Sequence, residues 1–153
     1  MERRHSVKIC IVSSCGGHLT EARALKAAYE QYEHFFVLND RVELPEDMEG
    51  RTYFIAHSER DLKFLRNLWE AFCILRRERP KVILSTGAGP AVPFAIIGKL
   101  CFRTRMIFVE TFTRVSRPSL TGRIMYHLAD EFYYQWAEQG RVFPKGVFGG
   151  LVL

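Results

Sequence analysis

The chain has 153 residues, of which 48% are hydrophobic and 25% charged, proportions that exclude a disordered or fibrous protein and suit one domain with a sizeable core. Its net charge of +5 is unevenly spread, because residues 60–123 carry 13 basic against 4 acidic side chains while both flanking parts are slightly acidic. A basic middle suits phosphates or anionic lipid headgroups. With no zinc-finger spacing, RNA-recognition aromatic signature or helix-turn-helix pattern, nucleic acid is not an expected partner.

Cys10, Cys15, Cys73 and Cys101 lie in or beside apolar runs and form no C-x-x-C pair. Buried thiols in a reducing compartment are therefore expected, with neither a metal site nor a disulfide framework. Residues 1–6 are polar and charged, and no stretch reaches 18 apolar residues. The expectation is a cytoplasmic protein that at most lies on a membrane.

In chain order, residues 7–13 form a β-branched apolar run that ends in small residues and two glycines. Residues 19–32, rich in Ala, Leu, Glu and Lys, then read as a helix. Gly16 and Gly17 let the loop turn sharply and admit a ligand to the main chain, where the N–H groups of the following helix carry partial positive charge. His18 falls at the mouth of that site, at the C-terminal end of a strand, where it could take a proton. The alternative is a plain tight turn with His18 as a helix cap. The loop is neither G-x-G-x-x-G nor G-x-x-x-x-G-K-[ST], so neither a dinucleotide site nor a P-loop is supported.

Residues 34–38 read as a buried strand, 39–50 as an acidic loop, and 51–56 as another strand, with Asp61 able to cap the next helix. That helix, residues 62–79, sets Leu62, Leu65, Leu68 or Trp69, Phe72 and Leu75 at three- and four-residue spacing, with Arg66, Arg76, Arg77 and Arg79 adding charge. It is either a core helix with a solvated basic face or an interfacial helix with Trp69 and Phe72 dipping into lipid. Pro80 ends it. Residues 81–84 form a strand that runs into a second glycine-rich loop, STGAGP at 85–90, placed to face the first loop across the sheet edge.

Residues 93–102 read as an apolar helix too short to span a bilayer, followed by Arg103 and Arg105. The run 106–109 reads as a central parallel strand. Glu110 at its end falls on the same edge as both glycine loops. It either caps the next segment or orients a sugar hydroxyl or His18, with Arg114 nearby for phosphate oxygens. Residues 120–128 read as a helix and 131–135 as a strand. The apolar, glycine-rich tail from residue 140 is either packed on its own domain or open to another chain.

Taken together, SSCGGHLTE at 13–21, STGAGP at 85–90, VETFTRVS at 109–116, SLTGR at 119–123 and ADEFYYQW at 129–136 resemble the asparagine-linked-glycosylation protein 14-like family over nearly the whole chain. The resemblance implies an α/β fold: a single Rossmann-like domain over residues 1–153, mostly parallel, with helices on both faces, like the N-terminal, acceptor-side half of a GT-B glycosyltransferase. It also implies a membrane-associated subunit of a two-component inverting enzyme on the cytoplasmic face of the cell membrane. A separate partner would bind the UDP-sugar, a polyprenyl-diphosphate-linked sugar would be the acceptor, and residues 140–153 would contact the partner. The lack of an N-terminal membrane anchor is closer to the family's bacterial capsule and exopolysaccharide branch.

Matched residue by residue, Gly16, Gly17 and His18 correspond to the family's glycine-glycine-histidine loop, Gly87 and Gly89 to its second glycine loop, and Glu110 to its strand-end carboxylate. His18 is then the first candidate for the base and Glu110 the second. Gly16, Gly17, Thr86, Gly87, Gly89, Thr111 and Arg114 are expected to meet the acceptor. Trp69, Phe72, Arg76, Arg77, Phe94, Arg103 and Arg105 are expected to meet the membrane, and no cofactor is expected. Two rivals stand beside this reading: a non-catalytic scaffold that recruits the partner, and a self-sufficient nucleotide-binding enzyme, which the missing phosphate-binding motifs disfavour.

Overall fold

A computed structural model describes residues 7–39, 43–56 and 62–152. Seven strands, β1 (Lys8–Ser13), β2 (Glu33–Leu38), β3 (Thr52–Phe54), β4 (Val82–Ser85), β5 (Arg105–Val109), β6 (Glu131–Tyr134) and β7 (Val147–Phe148), form one sheet in the order β3-β2-β1-β4-β5-β6-β7. Every pairing is parallel, so all crossovers return over the faces and bury the strands on both sides. The chain builds outward from β1 to β3, then comes back to start β4 on the other side of β1. That reversal opens a crevice at the C-terminal ends of β1 and β4, the place where open α/β sheets bind ligands.

Alternation along the strands divides the core. Cys10, Val12, Ile83, Met106 and Phe108 face one layer made by the helices α3 (Lys63–Glu78), α4 (Ala91–Phe102) and α5 (Leu120–Leu128). Helix α4 lies close on the sheet because Gly98 has no side chain, and a Cβ there would come within 2.7 Å of Ile83 Cδ1. Ile9, Ile11, Phe36, Leu38 and Leu84 face the other layer, which is thinner: α1 (Gly17–Ala24), the single turn α2 (Lys26–Tyr29) and the C-terminal residues up to Val152.

Several expectations need correction. The first helix is two segments broken at Leu25, and its first turn begins at Gly17, two residues before the predicted start. Phe94, expected at a membrane, is fully buried in the α3–α4–α5 layer; its burial contributes about 2–3 kcal/mol. An apolar helix packed between two others shows no polar side to orient it by, which is why its sequence misled. Cys73 and Cys101, expected to be buried, are exposed. The tail forms β7 on the sheet edge, an element too short to leave a periodic signal. Asp61 lies outside the described residues.

Candidate active site

The loop after β1 turns at Gly16, whose φ of +88° is open to glycine and strained for other residues. Helix α1 starts immediately after it, so the unpaired N–H groups of its first turn face the crevice. The loop after β4 turns at Gly87 (φ +129°) and Ala88 (φ +72°). The two loops dock on each other: Thr86 Oγ1 donates to the His18 carbonyl at 2.7 Å, and His18 Nδ1 lies 3.0 Å from the Thr86 carbonyl. The His18 ring lies directly on Gly87, where an added Cβ would stand 2.7 Å from its Cε1.

Beneath His18 lies Glu21, one helical turn further along α1 and completely buried. Its Oε1 accepts from the Phe112 N–H at 2.6 Å, the Thr111 hydroxyl at 3.2 Å and Gln135 Nε2 at 3.2 Å. Its Oε2 has no hydrogen-bond partner among the described residues and lies 3.5 Å from His18 Nδ1. Both neighbours of Nδ1, the Thr86 carbonyl and Glu21 Oε2, can only accept, which assigns the ring proton to Nδ1. Nε2 is left with a free lone pair and no partner among the described residues. The Glu21 carboxylate beside Nδ1 raises the His18 pKa above the usual imidazole value. Burial opposes this rise, and the Thr86 carbonyl and the charges of Glu21 and Glu110 reinforce it.

Glu110 stands at the end of β5, also buried. Its Oε1 accepts from Ser119 Oγ at 2.8 Å and the Thr111 N–H at 3.1 Å, and its Oε2 from the Ser119 N–H at 3.3 Å. Ser119 in turn caps α5 by accepting from the Gly122 N–H at 2.8 Å. Burial raises the Glu110 pKa above the usual carboxylate value, against the Ser119 and Thr111 hydrogen bonds and the Arg114 charge. The carboxylate thus ties the β5–α5 loop together, in the manner of the capping alternative.

The remaining predicted residues separate into groups. Gly16, Gly17 and Gly89 are exposed at the crevice mouth, as is Arg114 on the loop after Glu110. Thr86 and Thr111, expected to meet an acceptor, are buried and give their hydroxyl protons to the His18 carbonyl and to Glu21. Arg76 and Arg77 in the last turn of α3, Arg103 at the end of α4 and Arg105 at the start of β5 lie at the opposite, N-terminal edge of the sheet. Arg77 lies over Tyr53 and Arg105 pairs with Glu131 at 2.6 Å. Along α3, Leu62, Leu65 and Trp69 are exposed, Trp69 by 66%, and Trp69 stacks on the half-buried Phe72. No helix among the described residues is long and apolar enough to cross a membrane.

Glu21, the buried carboxylate beside His18, is not among the residues singled out from the sequence. Its signal was its place three residues after His18, which puts both on one helix face. Gln135 was also missed; its Nε2 bridges Glu21 and the Glu110 carbonyl, and its Oε1 accepts from the Val152 N–H at 3.0 Å.

Residues 50–152 match the family described as oligosaccharide biosynthesis protein Alg14 like. The chain is 26% identical to the human UDP-N-acetylglucosamine transferase subunit ALG14, over 98% of this chain and 85% of that protein. Among solved structures, it resembles MurG of Acinetobacter baumannii with a TM-score of 0.69 and 14% identity, covering 86% of this chain and 42% of that one. A UDP-N-acetylglucosamine 2-epimerase from Rickettsia bellii gives a TM-score of 0.72 at 13% identity, over 92% and 42%. These two likenesses share the Rossmann-like α/β fold expected for half of a GT-B protein.

Proposed function

Since the chain belongs to the Alg14-like family of oligosaccharide biosynthesis proteins, we propose that it is the acceptor-side subunit of a two-component inverting glycosyltransferase. In this reading a separate subunit holds the UDP-sugar, and a hydroxyl of a polyprenyl-diphosphate-linked sugar attacks C1 of the donor. The observation that carries the reading is His18: a half-buried imidazole at the β1–β4 crevice whose Nδ1 is committed to the protein and whose Nε2 is free. As the glycosidic bond forms, the attacking hydroxyl loses its proton to Nε2 and the UDP leaves with the electron pair of the broken bond. General-base assistance of this kind contributes about 10²–10⁴-fold. The exposed N–H groups at Gly16, Gly17 and Gly89, with Arg114, would hold acceptor or diphosphate oxygens.

Two further features support the assembly. Beside the tail, an apolar cleft of about 400 Å³ is lined by Leu84, Ile107, Val109, Tyr133, Leu151 and Val152, while Val147 and Phe148 on β7 are exposed; residues 140–153 would dock the partner there. The exposed Leu62–Leu65–Trp69 stripe of α3 would rest on the cytoplasmic face of the cell membrane, where a lipid-borne acceptor lies. The names of the relatives favour UDP-N-acetylglucosamine as donor.

The test is sugar incorporation into lipid from a panel of UDP-sugars, with acceptor-bearing membranes and this chain alone, its partner alone, or both. The reading predicts transfer only in the combined sample. Transfer by this chain alone contradicts the two-subunit assembly, and full transfer by the partner alone reduces this chain to an anchor.

A further inference from the structure

Glu21 is the group in this molecule whose chemistry is least explained by folding. A fully buried carboxylate is costly unless its charge is compensated, and here the compensation is one-sided. Three donors, the Phe112 N–H, the Thr111 hydroxyl and the Gln135 amide, converge on Oε1 from the β5–α5 loop and the residue after β6. Among the described residues nothing makes a hydrogen bond to Oε2, and it lies 3.5 Å from His18 Nδ1. A carboxylate that only stabilised this junction would be expected to share its donors between both oxygens.

We propose that Glu21 is the positioning residue of His18: its clamped Oε1 fixes the carboxylate, and its free Oε2 holds the proton on Nδ1 so that Nε2 faces the crevice as the base. The inference rests on the transferase reading above. Every titratable or charged group facing the ring is accounted for: Glu21 comes from the same helix, Glu110 acts through its charge from β5, and the Thr86 carbonyl, from the loop after β4, shares the Nδ1 proton. As Nε2 accepts the acceptor's proton, the imidazolium that forms lies against the buried Glu21 carboxylate, with the Glu110 charge adding to it from further off. Oε2 then becomes an ion-pair partner at the moment the ring gains charge. Gln135 extends the same chain of contacts to the Val152 N–H, so the clamp on Oε1 includes the residue that holds the C-terminal tail.

The deciding variant is Glu21→Gln, which keeps the shape and an oxygen for the three donors but turns an amide NH₂ toward Nδ1. Two readouts apply. The first is the NMR titration of the His18 Cε1–H in this chain alone, which requires no partner or substrate. The second is the pH dependence of transfer in the reconstituted pair. The inference predicts that the His18 titration moves to lower pH in Glu21→Gln, that kcat falls about 10²-fold with the acceptor KM changed less than about threefold, and that the acid limb of the rate profile follows the titration downward. Glu21→Asp keeps the charge and should fall between the two, which preserves the test if Glu21→Gln folds poorly. An unmoved titration and acid limb, in a pair that His18→Ala inactivates, overturns this role for Glu21 while leaving His18 as the base. A His18→Ala pair at full rate overturns the base reading, and this inference falls with it.

Discussion

Glu21 and Glu110 are buried carboxylates at the same edge of the sheet, and their surroundings differ in one respect. Both oxygens of Glu110 are held by N–H and O–H groups of its own loop, whereas Glu21 concentrates three donors on one oxygen and leaves the other beside an imidazole. A carboxylate held through both oxygens by its own loop organises that loop. One held through a single oxygen has to be compensated by whatever faces the other, which here is His18. Burial alone, or the number of hydrogen bonds, would have ranked the two as equals, since each accepts three; how the donors are shared between the two oxygens separates them.

The comparison can be broken on either side. On the Glu110 side, Gly122 approaches so closely that an added Cβ would stand 1.7 Å from Oε2. Gly122→Ala should therefore dislodge the carboxylate and the α5 cap together. It should cost about 3 kcal/mol and lower Tm by about 10 °C, read by thermal melting; a change under about 3 °C would show that the β5–α5 loop does not depend on this contact. On the Glu21 side, Gly87→Ala meets both a positive φ and the His18 ring at 2.7 Å. The imidazole must shift by several tenths of an ångström or more, and transfer in the reconstituted pair should fall about 10²-fold while α5 stays capped. An unchanged rate would mean that the ring's seat on the second loop is unimportant.

The outer face of α3 should respond least. Trp69→Ser removes an exposed side chain, so Tm should hold within about 2 °C while partition onto anionic vesicles, read by flotation, drops about tenfold. Unchanged flotation would remove the membrane role assigned to α3.

What the sequence disclosed and what it hid follow the same physics. The two glycine loops, His18 and Glu110 were legible because each ends a β-branched run, and parallel strands bring such ends to one edge. The meeting of the first two loops follows from β1 and β4 being neighbours. Glu21 was hidden because in a helix of Ala, Leu, Glu and Lys it looks like one more solvated residue. Its burial comes from Thr111 and Gln135, 90 and 114 positions away. Phe94 failed for a related reason: local spacing identifies a helix, but only its neighbours in the fold decide which side is covered.

The account's central claim is that Nε2 of His18 takes the acceptor's proton, and the most direct measurement is the single-turnover transfer rate of the reconstituted pair carrying His18→Ala, with both substrates saturating. The claim predicts a fall of about 10²–10⁴-fold with the pair still assembled. A rate within about twofold of the unsubstituted pair would contradict it.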